Sequence, residues 1–314
     1  MTEKTRLVAE IEAALALDRA AAEAALHRIA ADPQAAQLGQ MTALGVPRKI
    51  HSALVRLAKR SGDRVGLAGL RATAVPPEDL LGPLFVTDAR ARAAMVAAAT
   101  MPVPRLVHQI WVGGPAPVAC ARWRTWAGAH GWSYRLWDLA ALEQAGITAD
   151  PVWQQMLVQG DLPGAVDVAR YHILARMGGI YLDCDWFPAR ADLPPGAAIP
   201  ALGLSVLAEP APRCVAGASL MLSNALIAAP VAHPALIGLI SALPEVARRL
   251  PGAPAWWVTG PLVFTLAVRS GPVTVLDAAM IAGALPRAAP LAAAEALAQQ
   301  VRDGAGMLIA WKGW

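Results

Sequence analysis

Apolar residues recur at helical spacing through the first hundred residues of the chain. The spacing predicts an amphipathic helix over residues 2–31, which Asp32-Pro33 would end. Further helices are predicted over residues 50–61 and 88–99. Residues 1–100 are therefore predicted to form a helical N-terminal region.

The pattern changes after residue 102, where short apolar and β-branched runs begin to alternate with helical stretches. Strands are predicted at 105–112, 132–138, 180–183, 201–208, 218–222 and 273–277, and helices at 139–145, 164–177, 235–249 and 261–269. Such alternation predicts an α/β domain with a mostly parallel sheet over residues 101–314.

Polar and aromatic residues stand where several predicted strands end. In a parallel α/β sheet, ligands bind at the carboxyl ends of the strands. Trp111 follows the first of these strands, Asp138 the second, and the pair Asp183 and Asp185 the third. Just before the third strand, Gly178-Gly179 is predicted to cap the helix over 164–177.

The two acids in IYLDCD are the strongest chemical signal. In an extended chain, Asp183 and Asp185 would point the same way and Cys184 the opposite way. Two carboxylates ~5 Å apart repel by roughly 3 kcal/mol at an effective dielectric near ~20. A divalent cation such as Mg²⁺ or Mn²⁺ removes that cost and prefers oxygen ligands. The alternative is a solvated turn after a strand.

A second pair of charges lies on the helix that precedes this strand. Asp167 and Arg170 are three residues apart in VDVARYHIL, and therefore share one helix face. Because the rest of the helix is apolar, we expect both charges at its sheet-facing edge. The alternative is an ordinary surface ion pair.

Composition and charge narrow the choice of partners. The formal net charge is +4, and the densest basic stretch, residues 48–71, contains no aromatic residue, which argues against single-stranded nucleic acid. We expect that stretch to be a solvated helix face, with a phosphate- or membrane-binding patch as the alternative.

The apolar stretch 219–243 is interrupted by Asn224, Pro230 and Pro234, so no transmembrane segment is predicted. Three cysteines without CxxC spacing predict a reduced, cytoplasmic protein.

Five motifs occur in order between residues 102 and 265: HQIWVGG, GW.Y.LWD, D..RY.IL...GGIYLDCD, SNALIAAPVAHP and TGP. Together they resemble the DXD-containing sugar transferases of glycosyltransferase family 32, which include the yeast initiating mannosyltransferase and bacterial capsular polysaccharide enzymes. The chain is more distantly similar to the glucosylating domain of the large clostridial toxins. The resemblance implies a GT-A-like fold and a metal-dependent hexosyltransferase.

The resemblance also implies roles for individual residues. Asp185 would be the direct ligand of Mn²⁺ or Mg²⁺, with Asp183 beside it on the metal, the ribose or the donor sugar. Asp167 and Arg170 would hold the sugar hydroxyls and the diphosphate region. The remaining residues would bind the donor: Trp111 by stacking on the base, with Val112, Gly113, Tyr181, Asn224 and Trp314.

Each donor-binding assignment has a structural alternative. Trp111 could be a core residue at a strand end, Tyr181 a sheet residue, and Asn224 a turn residue after a strand. The donor would be a UDP- or GDP-sugar, and the acceptor a glycan, a lipid-linked molecule or a protein, with peripheral membrane contact left open. The resemblance implies transfer with retention for polysaccharide biosynthesis.

The end of the sequence departs from the family pattern. Family members close with a histidine-containing segment that ends in Ser-Trp, whereas this chain ends in GMLIAWKGW. Lys312 would then contact the diphosphate instead, and His233, the last histidine, is expected to cap a helix start.

Two other functions compete with sugar transfer. A phosphatase with an aspartate nucleophile also places DXD at a strand end, but it needs a lysine downstream, and none lies between Lys59 and Lys312. A non-catalytic nucleotide-sugar-binding or assembly protein of the same fold is the second alternative. The sequence lacks the phosphate-binding motifs of kinases and dehydrogenases, so these functions are not supported.

Overall fold

The computed structural model of the protein describes every residue except 1, 40, 43–45, 64–65, 68–69, 71–80, 86, 210–213, 216–218, 252, 254, 302–305 and 314. Two compact units are present. The first comprises residues 1–80, 212–219 and 250–253, and the second comprises 81–211, 220–249 and 254–314. The division into residues 1–100 and 101–314 stays a prediction.

In its described residues, the first unit is mainly helical. Its described helices are α1 Glu3–Leu15, α2 Arg19–Ala30 and α3 Arg48–Arg60. The prediction of one helix over 2–31 is wrong, because Asp18 accepts a hydrogen bond from the Ala21 backbone and starts a second helix. The apolar faces of the three helices share one core, while Arg56 on α3 is exposed and pairs with Glu12. That pairing agrees with a solvated basic face.

The second unit contains the alternating elements. Its helices are α4 Ala89–Ala98, α5 Val118–Ala129, α6 Leu139–Gln144, α7 Pro151–Val158, α8 Leu162–Met177, α9 Pro234–Arg249, α10 Ala255–Val258, α11 Pro261–Val268 and α12 Leu291–Gln300. The strands of the chain are β1 Leu106–Ile110, β2 Ser133–Trp137, β3 Gly179–Leu182, β4 Trp186–Pro188, β5 Ser205–Ala208, β6 Cys214–Val215, β7 Ser219–Leu220, β8 Leu222–Ala229, β9 Thr274–Leu276, β10 Ile281–Ala284 and β11 Leu308–Ala310.

The central sheet has six strands in the order β2-β1-β3-β8-β5-β9. β1 is parallel to β2 and β3, β5 is parallel to β9, and β8 is antiparallel to both of its neighbours. The predicted α/β fold with a mostly parallel sheet is therefore confirmed. A second, three-stranded sheet has the order β10-β11-β4.

The two glycines before β3 fix where that strand enters the sheet. Gly178 ends α8 with a φ of +61°, as the sequence predicts for a C-cap, and Gly179 has a φ of +97°. A Cβ atom on Gly179 would lie 2.4 Å from the Leu106 carbonyl oxygen of β1. β1 and β3 can therefore pair in this register only with glycine at this position.

Helix α5 packs on the sheet and holds the chain beyond β3. Trp123 and Trp126 share a buried core with Val107, Ile180 and Leu226 of the sheet. The Trp123 indole also donates a hydrogen bond of 2.8 Å to the Trp186 carbonyl oxygen. Within the described residues, the helices are too short or too polar for any of them to cross a bilayer.

The start of α9 depends on a buried histidine. His233 is 2 % exposed, and its Nδ1 accepts a hydrogen bond of 3.3 Å from the Ala235 backbone. The predicted capping role of His233 is therefore confirmed. Burial lowers the pKa of His233 to about 4.

We predict that His233 makes the fold sensitive to acid. The unfolded chain binds a proton near the ordinary histidine pKa of ~6.5 and the folded chain only near 4, so stability falls as the pH drops between these values. Between pH 7 and pH 4.5 this group should cost on the order of 2–3 kcal/mol of unfolding free energy. His233→Asn keeps a hydrogen-bond acceptor and should lose less stability than the parent over that interval, as urea titrations at the two pH values would show. Equal losses in the two proteins would contradict the prediction.

Candidate functional site

The carboxyl ends of β1, β2 and β3 meet at one edge of the sheet, as predicted. Trp111 directly follows β1, and its backbone donates a hydrogen bond of 2.9 Å to the Trp137 carbonyl oxygen at the end of β2. Its indole is only partly buried and donates to the Gly114 carbonyl oxygen at 3.0 Å, so the alternative of a core tryptophan is wrong. Asp138 caps α6 by accepting a hydrogen bond from the Ala141 backbone.

The loop after β1 is open at this edge. Val112 is partly buried, whereas Gly113 is exposed and has a φ of +151°, a conformation that favours glycine. Trp111, Val112 and Gly113 therefore form an accessible loop at the end of β1, the strand that pairs with β3.

The two acids of the DXD motif lie in a turn rather than in a continuing strand. β3 ends at Leu182, residues 184–185 form the turn, and β4 then leaves for the second sheet. The expectation of an extended chain through both acids is therefore wrong, because the Trp186 backbone folds back to donate a long hydrogen bond of 3.4 Å to the Asp183 carbonyl oxygen. Even so, both acidic side chains reach solvent, with exposed fractions of 28 % and 25 %.

Cys184 lies behind the turn, on the side away from solvent, as predicted. It is buried, its thiol donates to the Ile110 carbonyl oxygen at 3.2 Å, and its sulfur is 3.4 Å from that of Cys120 on α5. Both thiols are free. The motif is thus anchored from within by the side chain between its two acids.

Asp183 is held by two donors through one oxygen. Its Oδ1 accepts a hydrogen bond of 2.8 Å from the Tyr181 hydroxyl and lies 3.1 Å from Nη1 of Arg170. Burial raises the pKa of Asp183 to about 6, and the neighbouring Asp185 adds to the rise, whereas Arg170 opposes it. Tyr181 is 1 % exposed, and Arg170 lies over its ring at 4.5 Å, so this tyrosine orients Asp183 from below.

Asp185 contacts a different cation. Its Oδ2 lies 3.1 Å from the ammonium of Lys312, and its backbone carbonyl oxygen accepts a hydrogen bond of 2.8 Å from the Trp311 backbone. The segment after β11 therefore reaches the motif directly.

Asp167 and Arg170 form a buried pair beneath the motif. The two residues are 7 % and 5 % exposed, and Arg170 Nη2 lies 3.0 Å from Asp167 Oδ1. The alternative of a surface ion pair is wrong. Burial raises the pKa of Asp167, while the guanidinium of Arg170 opposes the rise. Because Arg170 pairs with both Asp167 and Asp183, it links α8 to the end of β3.

Asn224 completes this network from β8. Its backbone oxygen accepts a hydrogen bond of 2.7 Å from Arg170, and its amide donates to Asp167 and to the Tyr171 hydroxyl, each at 2.9 Å. The alternative of a turn residue is wrong, because β8 continues through residue 224. Thr259 donates to Asp167 at 3.1 Å and, through its carbonyl oxygen, accepts from Tyr171 at 2.7 Å.

The structure thus brings half of the ten predicted site residues together. Asp167, Arg170, Tyr181, Asp183 and Asn224 form one connected set. Trp314, predicted to bind the donor, lies outside the described residues. The binding and catalytic roles of all these residues stay predictions.

Tyr171 and Thr259 also belong to this network, although no role was predicted for them. Both were within reach, because Tyr171 is the tyrosine of D..RY and Thr259 the threonine of TGP. Their contacts depend on how α8 and the α10–α11 segment pack, and spacing along the chain does not show that packing.

The carboxylate oxygens of the DXD motif suit a hard divalent cation that the protein binds only in part, with the other ligands supplied by phosphate oxygens and water. No group of three or more histidine, cysteine or acidic side chains that could hold a metal occurs in the described residues. The contacts above use Oδ1 of Asp183 and Oδ2 of Asp185, which leaves a second oxygen on each acid. Mg²⁺ commonly binds through one or two carboxylates together with phosphate oxygens and water. The two acids fit that mode of binding.

Comparison with known proteins finds a recognised region that contains the DXD motif and the Asp167–Arg170 pair. The sequence profile of the glycosyltransferase sugar-binding region containing DXD motif matches residues 148–196, which span α7, α8, β3 and the DXD turn. No protein with a curated description gives a significant match to the chain. Over these residues the profile confirms the resemblance to DXD-containing sugar transferases.

Two solved structures are similar in fold. The PaToxG glycosyltransferase superposes with a TM-score of 0.40 at 17 % identity, over 60 % of this chain and 76 % of that one. The catalytic domain of alpha-toxin from Clostridium novyi superposes with a TM-score of 0.40 at 11 % identity, over 70 % and 82 % of the respective chains.

Proposed function

We propose that this chain, a glycosyltransferase with a DXD-containing sugar-binding region, moves a hexose from a UDP- or GDP-sugar to an acceptor hydroxyl with the help of Mn²⁺ or Mg²⁺. The observation that carries the proposal is the joint placement of the two acids. Asp183 and Asp185 are partly exposed at the carboxyl edge of the sheet, where Trp111 follows the neighbouring strand β1, and both lie beside a buried arginine network.

The proposed cation site consists of Asp185, with Asp183 beside it. A cation bound there would stabilise, as a Lewis acid, the negative charge that the departing nucleoside diphosphate acquires. Its two protein ligands lie on a turn that Cys184 anchors from within. Because that turn is held rigidly, the acids need little reorganisation when the donor arrives.

The buried network positions the sugar end of the donor. Arg170 is fixed by Asp167, Asp183 and the Asn224 backbone, so its charge stays next to the acids without exposure to solvent. A fixed positive charge in a poorly solvated place stabilises developing negative charge more than a solvated one does. Tyr181 keeps Asp183 in place for contact with the ribose or the donor sugar.

Trp111 and the loop Val112–Gly113 would receive the nucleobase. The partly exposed indole offers a face for stacking, and the exposed Gly113 lets the base approach the backbone closely. Retention is proposed from the family resemblance. In that mechanism the departing phosphate takes the proton of the acceptor, so no side chain is assigned as a general base.

The acceptor is proposed as a glycan, a lipid-linked molecule or a protein, and the setting as the cytoplasm. The thiols of Cys120 and Cys184 are 3.4 Å apart and unbonded, which suits a reducing compartment.

Thermal unfolding with candidate donors tests the proposed function. UDP-, GDP- and CMP-sugars would each be added with Mn²⁺, with Mg²⁺ and with chelator. We expect one nucleotide class to raise the melting temperature when a divalent ion is present, since a ligand that binds the native state stabilises it. The absence of any nucleotide-dependent shift would contradict the proposal.

The Trp111→Ala variant tests where the base binds. We predict that it raises the donor KM by about 10-fold or more with a smaller change in kcat, since stacking on an aromatic contributes roughly 1–3 kcal/mol. Trp111→Phe, which keeps an aromatic face, should restore most of the affinity. Steady-state kinetics with the donor found above would measure both, and an unchanged KM in the alanine variant would count against the stacking role.

A further inference from the structure

The second sheet brings the last segment of the chain to the DXD motif. β11 is antiparallel to β4, with Ala310 opposite Trp186, and β4 begins directly after the motif. Continuing this register, the Trp311 backbone donates its hydrogen bond of 2.8 Å to the Asp185 carbonyl oxygen. Residue 312 is therefore placed next to the motif by main-chain pairing.

The backbone of Lys312 is fixed, but its side chain is not enclosed. The Lys312 carbonyl oxygen accepts a hydrogen bond of 2.7 Å from the Ala288 backbone, and the preceding Trp311 indole donates to the Ala289 carbonyl oxygen at 2.8 Å. The Lys312 side chain, however, is 59 % exposed. A four-carbon stem on a fixed base can carry its ammonium to more than one partner nearby.

The two positively charged side chains that contact the DXD motif, Arg170 and Lys312, differ in how firmly they are held. Arg170 is only 5 % exposed, and it contacts Asp167, Asp183 and Asn224. Among the residues that the structure describes, Lys312 pairs with Asp185 at 3.1 Å, and that pair is open to solvent. Exposed ion pairs contribute little to stability, so this one can be exchanged at low cost.

From these contacts we propose that Lys312 is the resident counterion of Asp185, which yields to the divalent cation and then pairs with the diphosphate of the donor. A doubly charged ion on Asp185 repels the ammonium. A nucleoside diphosphate bound to that ion brings negative oxygens to the same place, and these become the second partner of Lys312. Lys312 is thus a donor-binding residue that also competes with the metal.

The proposal rests on the proposed function. It predicts that loss of the Lys312 charge changes the affinity for Mn²⁺ and the affinity for nucleotide in opposite directions, which a structural defect would not do. Lys312→Ala should bind Mn²⁺ alone about 2–5-fold more tightly than the parent, because the competing charge is gone. With saturating Mn²⁺, the same variant should bind UDP or GDP about 5–30-fold more weakly. Mere destabilisation would weaken both.

Calorimetric titration of the full chain with MnCl₂, and then with UDP and GDP in excess MnCl₂, measures both affinities. Lys312→Arg should resemble the parent, because it keeps the charge. Arg287→Ala is the matched control: it removes an exposed positive charge beside the Ala288 contact and should leave both affinities unchanged.

The outcomes separate the two proposals. If the parent binds nucleotide with Mn²⁺ and Lys312→Ala behaves as the parent does, the inference about Lys312 is overturned and the proposed function stands. If both affinities change in the same direction, the exchange of partners is overturned. If the parent binds neither UDP nor GDP with Mn²⁺, the proposed function fails and the role of Lys312 at the diphosphate fails with it.

Discussion

The Asp185→Asn variant is expected to lose about 10²–10³-fold in kcat while it folds as the parent does. The amide keeps the shape of the side chain but removes the charge that would hold the divalent cation. Asp185 is 25 % exposed at the surface of a turn, and its structural contact to the Trp311 backbone uses the carbonyl oxygen rather than the side chain. The loss should therefore appear in transfer and not in stability.

Asp192→Asn is the matched control for this experiment. Asp192 lies a few residues further along, is 60 % exposed and pairs with Arg190. The same chemical change there should leave transfer near the parent level. Initial rates with the identified donor, together with melting curves, would be measured for both variants. Normal turnover in Asp185→Asn would refute the proposed metal role of this residue.

Substitution of Arg170 is the second change for which a large effect is expected, and it should lower both the stability of the fold and the transfer activity. Arg170→Met keeps much of the volume but leaves the Asp167 carboxylate buried without its cation. Removal of one partner of a buried pair typically costs roughly 3–5 kcal/mol. In a protein of this size that is on the order of 10 °C in melting temperature. Transfer should also fall, because Asp183 loses the charge that opposes its protonation.

A double variant shows whether the cause is the unpaired charge. In Asp167→Asn with Arg170→Met both buried charges are absent, so part of the lost stability should return although activity does not. Arg248→Met serves as a surface control, because Arg248 is 71 % exposed and pairs only along its own helix with Glu245. If Arg170→Met melts at the parent temperature, the buried network does not hold the site together.

The local pattern of the sequence predicted only part of the second unit: it missed α5, α7 and α12, and it placed a strand at 218–222 where β8 spans Leu222–Ala229. Gly178-Gly179 marked the end of α8 because the backbone there needs positive φ, a property of the residue type itself. The first unit was predicted less well. Alanine suits any helical register, so the break between α1 and α2 at Asp18 was not visible in the apolar spacing.

The candidate site was predictable only in part, because the residue types are visible in the local sequence but their contacts are not. The acids and the arginine stand out because charges are rare in apolar stretches, and the motifs around them match the profile over residues 148–196. Their contacts are not local: Thr259 is 92 residues from Asp167, and Lys312 reaches Asp185 through a strand pairing that spacing cannot reveal. The turn at the DXD motif was only the alternative prediction, because the exit of β4 toward a second sheet depends on that same pairing.

The pairing of β11 with β4 also bears on how the protein should be handled. Lys312 lies against Asp185, so an affinity tag joined directly to residue 314 would start within a few residues of the DXD acids. A polyhistidine tag there would bring its own metal-binding imidazoles to the DXD acids and distort cation titrations. Recombinant protein for such measurements is best purified through a cleavable N-terminal tag.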